Sequence, residues 1–197
     1  MQRYLFMIDS LSMWSGKITA WLILIMTFLV TFDVSMRYLS KPLGAPIRAI
    51  WFTYDYSYDM SYYLYAIFFM LGGAYALSRG QHVRGDVFYR LWPVKVQASI
   101  DLSLYIVAFF PGILALVSVG LQWALASYAI GERSFTSAVA PVIWPLKMVI
   151  PIAGTLMAVQ GVAETIRAFQ ALRTGVWPPR LSDVEEVETV LAKQAEL

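Results

Sequence analysis

Four stretches of this sequence are long and apolar enough to cross a lipid bilayer, and a chain with four of them has few folds open to it. A spanning helix rises about 1.5 Å per residue through roughly 30 Å of hydrocarbon, so about twenty nearly uncharged residues mark each crossing. The first stretch covers 18–39 and begins ITAWLILIMTFLVTF; the second, 60–78, carries no formal charge. The third, 97–129, holds one charge, Asp101, and its Pro111-Gly112 pair predicts a kink. The fourth, 143–168, is less clean, with Pro145, Lys147 and Pro151 in its first turns. Prolines are tolerated at a helix start, and a lysine there can extend its ammonium toward water. The first apolar stretch is too long for a signal peptide and has no small-x-small cleavage site after it, so it reads as an uncleaved anchor. Backbone facing lipid must satisfy its own hydrogen bonds. The expected fold class is therefore an all-α integral membrane protein with four transmembrane helices and short interfacial amphipathic helices.

Charge supports the same reading. Only 14% of the residues are charged and 59% are hydrophobic, whereas soluble domains carry about a quarter charged residues. A net charge of +2 spread among apolar runs argues against nucleic acid as a partner. With no cysteine the chain has no disulfide and no thiolate metal site, and a lone histidine, His82, cannot supply the paired axial ligands of a membrane cytochrome. Lysine and arginine near helix ends set orientation. Ten lie on the side of the termini, including Arg3, Lys17, Arg79 to Lys95, and Arg167 to Lys193, and five on the other, among them Arg37, Arg133 and Lys147. Both termini are expected in the cytoplasm, with the basic stretch ALSRGQHVRGDVFYRLWP forming the loop between the second and third helices. In that loop His82 and Asp86 stand four apart with Arg84 between them, which suits either an ordered turn or a docking surface.

The chain divides into an amphipathic arm (1–16), a membrane domain (17–170) and a C-terminal tail (171–197). In the arm, Leu5, Ile8, Leu11 and Trp14 suggest one apolar stripe. Residues 44–58 place Ile47, Ile50, Trp51, Tyr54 and Tyr58 at helical spacing, the pattern of either a helix lying in the interface or a loop anchored by aromatics. After Pro178-Pro179, Ser182 and Glu185 form a capping-box pattern that opens a short solvated helix.

Catalytic chemistry has no foothold. The sequence contains no phosphate-binding loop, zinc-binding helix motif or nucleophile elbow. Charged residues within a membrane are costly and mark transport pathways, but here they all stand near helix ends. Asp33 and Arg37 are spaced for a helical ion pair, as are Glu164 and Arg167, and Asp101 lies at an interface. Small residues offer close helix contacts instead: Gly72, Gly73, Ala74 and Ala76; Gly112 and Ala115; Gly154, Ala158 and Gly161.

Several ordered motifs resemble the small membrane subunit, the DctQ type, of tripartite ATP-independent periplasmic (TRAP) transporters. They are Arg37-Tyr38 closing the first helix; LGGAYAL and R-G-x-H-V-R-x-D from Leu71 to Asp86; and ERS, P-x-I-W-P-x-K-x-x-I-P and L-x-x-x-Q-G in the last third. Together they cover roughly residues 20–170. The resemblance implies a subunit with no catalytic, substrate-binding or metal site and no cofactor, located in the bacterial inner membrane. Its implied partners are a large DctM-type membrane subunit, which carries sodium and substrate as an elevator, and a periplasmic substrate-binding protein, with membrane lipids around it. Structural or interface roles are expected for Arg37, Gly72, Gly73, His82, Arg84, Asp86, Trp144 and Lys147. Charge reversal at Arg84, inside a compact motif, is expected to harm assembly more than reversal at Arg180, in a proline-bounded tail. One departure from the family pattern is the longer segment 44–58, which offers Asp55 and Asp59 where a glutamate is usual. The competing reading is an autonomous oligomeric channel or exporter.

Overall fold

A computed structural model describes residues 2–43, 57–80, 89, 91–135 and 140–184, with only the backbone for Arg37 and 39–43. Four helices carry the fold: α1 (Gln2–Leu43), α2 (Ser57–Ser78), α3 (Val94–Ala129) and α4 (Trp144–Thr174). Each is long and apolar enough to cross a membrane. The expected interfacial helix at 44–58 lies almost entirely outside the described residues, as do His82, Arg84 and Asp86.

The helices lie side by side in the order α1, α2, α4, α3. In the most apolar window of α4, 39% of residues are buried, against 11% in each of the other three. The fourth stretch packs against protein, where its small and polar residues are useful, while the others present broad apolar faces outward. Along its seam with α3, Gly154 and Gly161 lie on one face of α4. A Cβ on Gly154 would come 2.7 Å from Val117, and one on Gly161 would run into the Phe109 ring. Gly120 of α3 plays the reciprocal part against Ile150. Gly112, a candidate from the sequence, meets nothing within 4 Å.

The bend expected at Pro111 takes a specific form. Proline has no N–H and its ring crowds the carbonyl four residues earlier, so the regular ladder cannot run through it. Just upstream, Tyr105–Phe109 form a π turn in which the Phe110 N–H bonds to the Tyr105 carbonyl, five residues back.

α1 carries the arm and the first span in one helix. It runs unbroken for 42 residues, about 63 Å, twice the hydrocarbon thickness. Gly16 and the hydroxyl residues around it do not interrupt the helix. Ser15 Oγ and Thr19 Oγ1 donate back to the carbonyls of Ser12 and Ser15, both at 2.8 Å. Gly16 lies where the Tyr75 ring of α2 crosses, leaving no room for a Cβ. The buried face of the arm is Leu5, Asp9, Ser12 and Met13, while Leu11 and Trp14 point outward. A repeat of strictly three residues drifts about 60° per step on a helix, so Leu5, Ile8, Leu11 and Trp14 cannot share one face.

Candidate functional site

Between Lys17 and Asp33 in α1, between Asp59 in α2 and Arg79 just after it, and between Lys147 and Glu164 in α4, no residue carries a formal charge. At helical rise these gaps are about 24 to 30 Å, the thickness of the hydrocarbon layer. The polar chemistry of the described residues is gathered at the two ends of the slab.

At the end holding the termini, α1 and α4 are joined by a buried network. Arg167 grips Asp9 with two hydrogen bonds, Nη1 to Oδ1 at 3.0 Å and Nη2 to Oδ2 at 2.5 Å. Its Nη1 also donates to Glu164 Oε1 at 2.7 Å. Gln160 donates to Asp9 Oδ1 at 3.0 Å and accepts from Ser12 Oγ at 2.7 Å. Asp9, Gln160, Glu164 and Arg167 are all at most 2% exposed. The i, i+3 pair of Glu164 and Arg167 is present as the spacing suggests, but it is part of a larger set spanning three segments.

The third segment is the chain beyond α4. Gly175, with φ of 76°, ends the helix in the left-handed conformation that glycine adopts without steric cost, and its N–H bonds to the Ala171 carbonyl. The chain then folds back as a strap. Trp177 Nε1 donates to Gln97 of α3 at 3.3 Å, Arg180 Nη2 to Glu164 Oε2 at 2.8 Å, and the Leu181 N–H to Asp9 Oδ2 at 3.2 Å. The guanidinium of Arg180 lies over Gly80, just past the end of α2, so the strap touches α1, α3, α4 and the turn after α2. Burial opposes the charge on Arg180, but attraction to Glu164 outweighs it and raises its pKa. Two carboxylates and two guanidinia thus form a charge-neutral set. The next helical turn begins at 181, with the Arg180 N–H donating to Asp183 Oδ2 at 2.8 Å, so the cap position expected at Ser182 falls two residues earlier, at Arg180.

This placement revises the expectation for Arg180, which is no solvated tail residue. Arg180→Glu would set a carboxylate against Glu164 inside the network. It is expected to cost about 2–3 kcal/mol, read as a lower melting temperature in detergent.

At the opposite end, Lys147 is 6% exposed and does not reach for water. The loop after α3 brings Glu132 back to form an ion pair with it, and the ammonium lies 4.1 Å from the Trp123 ring centroid. Trp144 packs edge-on against Tyr128 at 5.2 Å, joining the start of α4 to the end of α3. The loop is itself ordered by Ser134 N–H to the Pro141 carbonyl and by Tyr63 Oη donating to the Val142 carbonyl. The hydrogen bond from Lys147 holds the Glu132 carboxyl below the ordinary glutamate value of 4.5. A carboxylate with a depressed folded pKa adds stability that is full above the unfolded value and lost as pH falls through the folded one. Wild type should therefore melt above Glu132→Gln at neutral pH, and the gap should close as pH falls below the ordinary glutamate value of 4.5. A constant gap down to the acid limit would refute this assignment.

Of the other residues singled out from sequence, Gly73 lies against Met157, where an added Cβ would come 3.0 Å from the sulfur, and Gly72 faces open space. Arg37 is in α1, with its side chain outside the described residues. Asp9, Gly16 and Gly120 were not anticipated as contact residues. For Asp9 a signal existed: Asp9 and Ser12, like Gln160, Glu164 and Arg167, are polar residues repeating at helical spacing on otherwise apolar helices.

Comparison with known families gives one match. The family model for the DctQ component of tripartite ATP-independent periplasmic transporters matches residues 26–171, about three quarters of the chain. The chain belongs to the DctQ family. It is a multi-pass membrane component of a TRAP transporter, as the motifs and four apolar helices indicated. No curated protein and no solved structure matched the chain. The family match begins after the arm, so Asp9 lies outside it, whereas its partners Gln160, Glu164 and Arg167 lie inside.

Proposed function

We propose that this DctQ protein is a non-catalytic scaffold. It holds a large, sodium-coupled DctM-type subunit at fixed depth while that subunit moves an organic acid delivered by a periplasmic binding protein. The observation carrying this reading is the uncharged band between two electrostatically closed ends. A transport path needs polar or ionisable groups through the membrane middle, whereas here Asp9, Glu132, Lys147, Glu164, Arg167 and Arg180 pair at the two ends. An elevator subunit needs a stationary frame, and four helices held by α4 and laced by the strap supply one. The excess of lysine and arginine on the termini side supports cytoplasmic termini in the bacterial inner membrane.

Mild-detergent extraction of the tagged chain tests the partnership. A larger polytopic subunit is expected to co-purify, and recovery of a stable, solitary DctQ protein would count against the scaffold role.

A further inference from the structure

A cavity opens beside the termini-side end of the α1–α2 seam. Between α1 and α2, toward the termini side, runs a cavity of about 620 Å³ whose walls include Lys17, Phe68, Phe69, Gly72 and Tyr75. It exists because of Gly72, where a Cβ would meet nothing within 4 Å; Gly16 and Gly73 meanwhile let the helices close beneath it. The body of the groove is apolar and borders the hydrocarbon layer.

Its mouth is cationic and at headgroup depth. Lys17 stands between Trp14 and Trp21, which are 61% and 67% exposed, and exposed indoles settle where hydrocarbon meets water. Lys17 is exposed and pairs with no carboxylate among the described residues. Among the described residues no carboxylate lines the groove, so an ammonium-bearing headgroup would find no counter-charge there.

We propose that this groove binds one anionic phospholipid, with its phosphate at Lys17 and an acyl chain passing over Gly72 against Phe68 and Phe69. A chain-width apolar groove entered through a cationic mouth matches a single lipid with a net negative headgroup. The bound lipid would fill the α1–α2 seam and extend the slab as one continuous surface. The proposal does not depend on the scaffold role.

The test uses the full chain in phosphatidylcholine vesicles doped with phosphatidylglycerol carrying a diazirine partway along one acyl chain, with the crosslinked residues mapped by mass spectrometry. Crosslinks should concentrate on residues 68–73 of α2. Gly72→Leu, which fills open space and should leave the melting temperature unchanged, is expected to abolish that concentration. Lys17→Gln should lower it about fivefold, since one interfacial cation is worth about 1 kcal/mol toward anionic lipid. Labelling spread evenly over all outward faces, indifference to Gly72→Leu, or equal capture of a phosphatidylcholine probe would each overturn the proposal. So would labelling that disappears when the large subunit is bound, because the groove would then be a protein contact.

Discussion

Arg167→Leu is expected to be the most damaging single substitution in this chain, at about 3–5 kcal/mol of stability. Arg167 is 1% exposed and is the shared partner of Asp9 and Glu164. A leucine of similar bulk keeps much of the packing but leaves two buried carboxylates, with only Arg180 still holding one of them. Such carboxylates can escape only by protonating or by drawing in water, which would open the α1–α4 contact. The expected signature is therefore a lower melting temperature together with new proteolytic access to the first seventeen residues. Removing charge on both sides, Asp9→Asn with Arg167→Gln, should recover a substantial part of the loss. A double variant no better than Arg167→Leu would mean that packing, not charge pairing, holds the arm in place.

Gly161→Leu should be the second most damaging, at about 1–3 kcal/mol or more. Phe109 protrudes from the π turn straight at Gly161, and Val117 does the same at Gly154, so α3 and α4 meet backbone to ring with no space for a side chain. A leucine there must push α3 away from α4. Gly72→Leu, a change of the same size at a glycine facing open space, should be near neutral. Comparing the two by thermal unfolding in one detergent separates helix propensity from steric fit, because both glycines are in mid-helix. Equal losses would show that the α3–α4 seam adjusts freely.

The spans were legible in the sequence because hydrocarbon thickness fixes a length and a composition that four stretches satisfy. The concentration of charge at helix ends was legible for the same reason. What could not be read was pairing at a distance. Asp9 and Arg167 are 158 positions apart, and no local pattern says which of several terminal charges meet. The apolar spacing in the arm drew attention to Leu11 and Trp14, whereas the face that docks carries Asp9 and Ser12. Gly16 was not singled out in the sequence, because only the position of Tyr75 shows why a side chain is excluded there. Arg180 follows two prolines and looks like tail, but the left-handed turn at Gly175 sends it back over the bundle.

The central claim, that this chain frames transport without conducting anything itself, is tested most directly by flux measurements in proteoliposomes. The purified DctQ protein alone, with an imposed sodium gradient and candidate organic acids, should give uptake no faster than protein-free vesicles. Adding the large subunit and the binding protein should make uptake appear. Sustained flux through vesicles containing only this chain would contradict the account.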